Sequence, residues 1–367
     1  MTSMTIGFAG LGLIGGSIAK ALRRVHPDYR LIAYDTNKES LIQALADGVL
    51  NETCDSISTA FSSCNIIFLC APVSINIKHL EILKPFIKDN CILTDVGSVK
   101  TSIHEAVRNV GLSSHFVGGH PMAGAETSGY ASASDRLLEN AYYILTPSHQ
   151  APHAYVETME QLVRDIVSVP IVLHCQEHDK ITAAISHLPH IIAYNLVNLV
   201  RENDNAEGMM RMLAAGGFKD ITRIASSSPI MWQQICSENT KPILQMINTY
   251  MTLLEHTATA IKNNDKDYLM NSFTNAKNYR DDIPVSKIRS VLKPAYEIYV
   301  DLIDESGAIA TIATILATNA ISIKNIGIVH NREFQDGVLK IEFYEDDAVK
   351  KATELLRKFH YVVHERN

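Results

Sequence analysis

The sequence predicts an α/β fold in three parts: a doubly wound parallel sheet, an all-α segment, and a small βαββαβ unit at the C-terminal end. Three observations lead there. From residue 1 to about 172, short apolar runs (5–9, 31–35, 65–70, 91–96, 115–119, 142–146 and 169–173) alternate with helical patterns, as expected for parallel strands with helices on both faces. From about 173 to 287 the strand signal stops and long amphipathic helices follow. Beyond a linker-like stretch near 281–294, the order strand (296–303), helix (306–318), strand (321–330), strand (338–344), helix (346–358), strand (360–365) appears. The expected domains are 1–172, 173–287 and 295–367, with a linker over 288–294.

The first element organises the rest. The run Thr5–Ala9 leads into Gly10-Leu11-Gly12-Leu13-Ile14-Gly15, and a helical pattern continues from Ser17. Gly10 allows the tight turn, Gly12 removes the side chain that would block a pyrophosphate, and Gly15 lets helix and strand pack closely. Phosphates then rest on the positive end of the helix, at Leu13 and Ile14. The second strand ends at Asp35, where an acid binds the ribose hydroxyls of NAD and repels the 2′-phosphate of NADP. This is a Rossmann-type dinucleotide-binding pattern. Gly10, Asp35, Ala71-Pro72, Gly97-Ser98 and Gly119-His120 each follow a strand end, so they are expected to ring one crevice.

Composition narrows the partners. The 367 residues carry a net charge of -7, and the basic residues are scattered, which argues against nucleic acid and anionic membrane surfaces. A small molecule is the expected partner. Six cysteines form no CxxC pair and no zinc spacing, consistent with a reducing cytoplasm. No basic leader precedes the first strand. The apolar stretch 181–200 contains His187, Pro189, His190, Asn195 and Asn198 and is expected to be a buried helix rather than a membrane span. Met209, Met210, Met212, Met246 and Met251 read as core or subunit packing.

Several stretches carry chemistry. Gly118-Gly119-His120-Pro121-Met122-Ala123-Gly124-Ala125-Glu126 is expected to place one imidazole at a glycine-lined turn beside the nicotinamide position. A neutral His there can accept a hydroxyl proton as hydride leaves the adjoining carbon. Ser98 either caps the following helix, holds a substrate oxygen, or does both. Ser186-His187-Leu188-Pro189-His190 sets two imidazoles three residues apart on a helix that Pro189 should kink; no third ligand is spaced to make them a metal site. Lys219 and Arg223 fall at i and i+4 after Gly216-Gly217, with Trp232 on the next helix. They are either a solvated face or, beside an anion site, carboxylate clamps.

Together, Gly10 to Ser17, Asp95-Val-Gly-Ser-Val-Lys100, Gly119-His-Pro-Met-Ala-Gly124, Ser186 to His190 and Phe218-Lys-Asp-Ile-Thr-Arg223 resemble the prephenate dehydrogenase family. The resemblance covers residues 5 to about 285. It implies NAD-dependent oxidative decarboxylation of prephenate to 4-hydroxyphenylpyruvate, with His120 accepting the hydroxyl proton and Ser98 orienting the hydroxyl. It further implies that Arg223 binds the ring carboxylate, that His187, His190, Lys219 and Glu126 line or gate the pocket, and that the chain is a cytoplasmic homodimer. The C-terminal unit is similar to an ACT domain, which implies feedback by L-tyrosine. Ser306-Gly307 stands where that module often has Pro-Gly. Three other readings compete: arogenate as substrate, another hydroxy acid, and a non-catalytic sensor of NAD and an amino acid. The β-hydroxyacid enzymes use a catalytic Lys and lack the Gly-His-Pro-Met-Ala-Gly run. A sensor would not need Ser98, His120 and Arg223 together.

Overall fold

The computed structural model describes residues 4–124, 127–283, 296–302, 307–329 and 337–365. The chain divides into two compact units, Met1–Thr274 and Asn275–Asn367.

The first unit begins with β1 (Thr5–Ala9), α1 (Leu13–Val25), β2 (Arg30–Tyr34), α2 (Lys38–Ala46), β3 (Glu52–Cys54), β4 (Ile66–Leu69), α3 (Val73–Leu83), β5 (Ile92–Asp95) and α4 (Thr101–Val110). The strands form one parallel sheet in the order β3-β2-β1-β4-β5. Side chains alternate between its faces, so each strand feeds two cores. Ile6, Phe8, Leu31, Ala33, Ile66 and Phe68 pack on one side, and Ala9, Ile32, Ile67, Leu69 and Leu93 on the other. β3 was not expected from sequence. It is a three-residue edge strand with no apolar run to announce it.

The remaining strands depart from the expected single sheet. β6 (Val117–Pro121), β7 (Tyr142–Pro147) and β8 (Val169–Val172) make a separate sheet in which β6 runs antiparallel to β7 and β7 parallel to β8. The connection between β6 and β7 is long enough to reverse the chain without a crossover helix. α5 (His153–Asp165) supplies the crossover to β8. Among the described residues a parallel bridge, Leu93 to Phe116, joins the two sheets, so β6 still lies beside the end of β5.

Then come α6 (Cys175–Thr182), a π-helical turn (Ala183–His187), α7 (Leu188–Asn203), α8 (Met209–Leu213), α9 (Gly216–Thr222), a 3₁₀ turn (Arg223–Ser226), α10 (Pro229–Glu238), α11 (Thr240–Lys262) and α12 (Lys266–Asp282). Pro189 directly follows the π-helical turn Ala183–His187, which interrupts the regular α-helix within the continuous stretch Cys175–Asn203. It stands in the first turn of α7, and the wider π turn before it falls where its missing N–H would otherwise break the α-helical bonding. The stretch 181–200 is not a buried helix in the single chain, since Ile185 is 62% and Leu199 57% exposed. The continuous helical stretch Cys175–Asn203 is long and apolar enough to cross a membrane, with only 22% of its apolar window buried. Its first half, however, carries buried polar side chains bonded to the sheet domain.

The second unit comprises β9 (Glu297–Leu302), α13 (Ala308–Thr318), β10 (Ile323–Val329), β11 (Gly337–Phe343), α14 (Asp346–Lys358) and β12 (Val363–Glu365). The sheet order is β10-β11-β9-β12 and every pair is antiparallel, the ferredoxin-like arrangement. Ile298, Val300, Leu339 and Ile341 pack against Ile312, Leu316, Ala352 and Leu356. The linker 288–294 and Ser306 lie outside the described residues, as does Glu126.

Candidate active site

The glycine turn is shaped for a pyrophosphate. Gly10 has φ +105°, a left-handed conformation, and a Cβ there would stand 2.9 Å from the Ala71 backbone nitrogen. A Cβ on Gly15 would stand 2.7 Å from the Gly10 carbonyl oxygen, so α1 packs directly on the turn. At Gly12 nothing lies within 4 Å of a Cβ position, and the α1 N-terminus it begins has no side-chain cap. That leaves open space in front of the N–H groups of Leu13 and Ile14, as an anion requires. Asp35 accepts hydrogen bonds from the Leu11 N–H (2.6 Å) and the Asn37 N–H (2.7 Å), which fixes its carboxylate against the turn. At the end of β4, Ala71 and Pro72 are held by Asn76 of α3. Its side chain accepts from the Ala71 N–H (3.2 Å) and donates to the Ala71 carbonyl (2.7 Å).

The next rim segment is built on a buried ion pair. Asp95 ends β5 and meets the Lys100 ammonium, both fully buried. Asp95 also accepts from the N–H groups of Gly97 (2.9 Å) and Gly119 (3.2 Å), while Lys100 donates to the Gly119 carbonyl (2.7 Å). Burial pulls the Lys100 pKa below its ordinary value, opposed by the Asp95 charge. This clip fastens the Ser98 loop to β6. The expected glycine-lined turn at Gly118-Gly119 is instead extended strand, with His120 paired to Ile144. Glycine is required there by close approach, because a Cβ on Gly119 would stand 2.6 Å from the Asp95 carbonyl oxygen.

His120 emerges from this strand partly exposed, and its Nδ1 lies 2.8 Å from Nε2 of His178 on α6. The Nδ1 of His178 is 2.8 Å from Oδ1 of Asp179. Asp179 in turn accepts from the N–H groups of Lys100 (2.8 Å) and Thr101 (2.7 Å). The cap of α4 is therefore Asp179, not Ser98, whose hydroxyl is left for another role. Burial pushes the Asp179 carboxyl up, but the hydrogen bonds from His178, Thr101 and Lys100 outweigh it and hold it below the usual carboxylate range. Desolvation, followed by the proximity of His178, the Lys100 ammonium and His187, holds His120 well below the ordinary imidazole value.

His187 and His190 are also buried. Burial pushes His187 down to about 4, and its Nδ1 faces the Asn239 amide at 3.0 Å. His190 stacks on Trp232 with ring centroids 3.5 Å apart. Lys219 is exposed on α9, and Arg223 is exposed in the 3₁₀ turn that packs beside α7. The helix ends at Thr222, so the expected i, i+4 face of Lys219 and Arg223 is interrupted. The structure thus gathers His120, Lys100, Asp95 and His187, and adds His178, Asp179 and Asn239, which the sequence reading missed. The available signal was the His178-Asp179 dipeptide, set in a polar run that reads as solvated helix.

Two family sequence models match the chain. "Prephenate dehydrogenase, nucleotide-binding domain" matches residues 18–172, and "Prephenate dehydrogenase, dimerization domain" residues 174–275. Prephenate dehydrogenase of Bacillus subtilis is 39% identical over 96% of this chain and 95% of its own. Among solved structures, prephenate dehydrogenase from A. aeolicus in complex with hydroxyphenyl propionate and NAD+ is 31% identical, with a TM-score of 0.73 over 77% of this chain and 99% of that one. Synechocystis arogenate dehydrogenase is 28% identical, with a TM-score of 0.69 over 76% of this chain and 99% of its own. Glycine turn, buried clip, strand-borne imidazole and these likenesses agree: the chain belongs to the prephenate dehydrogenase family.

Proposed function

We propose that this chain catalyses the NAD-dependent oxidative decarboxylation of prephenate to 4-hydroxyphenylpyruvate, with His120 as the base. The observation that carries the reading is a neutral imidazole strapped to the C-terminal end of β5, on the rim that the dinucleotide turn shares. NAD supplies the hydride acceptor when it is bound. Gly10, Gly12, Leu13, Ile14 and Gly15 hold its pyrophosphate, Asp35 its ribose, and Ala71, Pro72 and Ser98 line the rest of the crevice. His120 takes the ring hydroxyl proton as hydride leaves the same carbon. Ser98 orients that hydroxyl, and the guanidinium of Arg223 binds the ring carboxylate. His187, His190, Lys219 and Glu126 line or gate the pocket. When the ring carboxylate leaves as carbon dioxide, its electron pair completes the aromatic ring and the phenol oxygen recovers the proton. Aromatisation makes the step effectively irreversible.

The enzyme acts as a cytoplasmic homodimer in this reading, and its C-terminal ferredoxin-like unit is an ACT module that binds L-tyrosine as inhibitor. The antiparallel 2-3-1-4 strand order of that unit supports the assignment. The test is the appearance of reduced-nicotinamide absorbance with prephenate and NAD, run beside arogenate and NADP and repeated with tyrosine. Rapid NAD reduction with prephenate, suppressed by tyrosine, is expected. Turnover with arogenate alone would keep the base and move the substrate, and no turnover with either would return the sensor reading.

A further inference from the structure

We propose that His178 and Asp179 are positioning residues for His120, forming a His120–His178–Asp179 chain that fixes which nitrogen acts as base and spreads the charge formed when it is protonated. The inference rests on His120 being the base, and on three features of the geometry.

The first is directionality. An ionised carboxylate only accepts hydrogen bonds, so the 2.8 Å contact at Asp179 Oδ1 makes His178 Nδ1 the donor. Neutral His178 then has a bare Nε2, which can only accept from His120 Nδ1 across the next 2.8 Å contact. His120 Nδ1 therefore carries the proton, and Nε2 is left as the basic nitrogen. One carboxylate thus sets the tautomer of two rings.

Anchoring is the second. Asp179 is fixed by the Lys100 and Thr101 N–H groups at the start of α4, and the Thr182 hydroxyl and the Asn239 amide bond the backbone carbonyls of His178 and Asp179. The carboxylate cannot swing away when charge moves. Third, the chain is graded in exposure. His178 is 0% and Asp179 1% exposed, whereas His120 is open in part to the crevice. Only the outermost ring can meet substrate.

During turnover the hydroxyl proton of the substrate bonds to His120 Nε2, giving an imidazolium whose Nδ1–H still points at His178. Its charge is shared along the hydrogen bonds toward the Asp179 carboxylate, and the proton leaves Nε2 again when the product phenol forms. No electrons are gained or lost by the three residues. The logic is that of the carboxylate in a serine protease triad, which orients the imidazole and stabilises its protonated form.

The experiment compares His178→Gln and His178→Phe with the parent enzyme and with His120→Asn, measuring kcat, KM for prephenate, and NAD affinity by titration. The Gln side-chain carbonyl can still accept from His120 Nδ1, whereas Phe fills the space and accepts nothing. The expected order in kcat is parent, then Gln, then Phe. The Phe variant should lose about 10²-fold, with KM and NAD affinity within about twofold of the parent in both. A merely structural role would not make the Gln variant the faster of two equally well-folded proteins. Should His178→Phe keep kcat within about twofold of the parent while His120→Asn is inactive, the positioning chain is overturned and the base stands. Should His120→Asn turn over at the parent rate, the base assignment itself fails. If the Phe variant does not fold, His178→Ala, which likewise offers no acceptor, takes its place in the same comparison: lowered kcat with unchanged KM supports the chain, and parental kcat overturns it.

Discussion

His120 is useful as a base only while it is neutral, and its burial and the groups around it bear on that state. Desolvation acts first, then the neighbouring imidazole of His178 on α6, the Lys100 ammonium before α4 and the imidazole of His187 in the π turn, beside any of which a second positive charge is unfavourable; Asp95 and Asp179 are engaged by Lys100 and His178. As pH falls, His120 stays unprotonated past the point where an ordinary imidazole would have charged, and the rate is lost only below it. The acid limb of kcat/KM for prephenate is therefore expected below pH 6.5, read from initial rates across a buffer series. A limb at or above 6.5 would contradict this environment. At this scale the sequence was informative where neighbours in space are neighbours in the chain. Gly10, Gly12 and Gly15 share one turn, and Asp35 is the next strand end. His178 and Asp179 were hidden because His178 lies 58 positions along the chain from His120 and both sit in a polar run. Ser98 was ambiguous for the same reason, since its rival as a cap is Asp179, on a helix far along the sequence.

The element that holds the site is the junction of β5, α4 and β6, and its stability rests on Lys100. That side chain is wholly buried between the Asp95 carboxylate and the Gly119 carbonyl. Removing one partner of a buried pair leaves the other charge without compensation, which typically costs about 3–5 kcal/mol. Lys100→Met, close in volume and uncharged, is accordingly expected to lower the urea unfolding free energy by that amount. Activity should fall beyond any loss of folded protein, because Gly119 precedes the base directly. An unfolding midpoint equal to the parent's would show that the pair contributes nothing. Sequence periodicity located β5 and β6 but not their relation. An apolar run of five residues says that a strand forms, not which neighbour it pairs with, and a long connection permits reversal as readily as crossover. Hence one parallel sheet was expected where the structure has two, even though the short bridge from Leu93 to Phe116 preserves the crevice.

Across the whole molecule the unresolved force is hydrophobic. The apolar faces of α7 and α11 meet in a groove lined by Leu196, Leu199, Ile247, Met251 and Leu254, yet Leu199 is 57%, Met251 52% and Leu254 50% exposed in the single chain. Exposed apolar surface on this scale is costly at ~25 cal/mol per Å² and marks a surface that is covered in the working protein. A bilayer could cover it by composition, but the same continuous helix carries His178 and Asp179, fully buried and bonded into the sheet domain, and His187 bonded to Asn239. Those bonds hold the first half of the stretch inside the protein, leaving too few apolar residues beyond it to span a membrane. A second copy is the cover that fits, while in the single chain the helix that sequence patterning expected to be buried leaves Leu199 57% exposed. The protein should run by light scattering at twice 40.6 kDa. Leu199→Glu combined with Leu254→Glu places two like charges in the groove of each copy and should shift the mass to that of one chain. Because the π turn and His187 begin the same helix, loss of the partner should also lower kcat while the N-terminal dinucleotide turn still binds NAD. A parent that runs as a single chain, or a double variant that stays paired, would mean that some other surface closes over these helices.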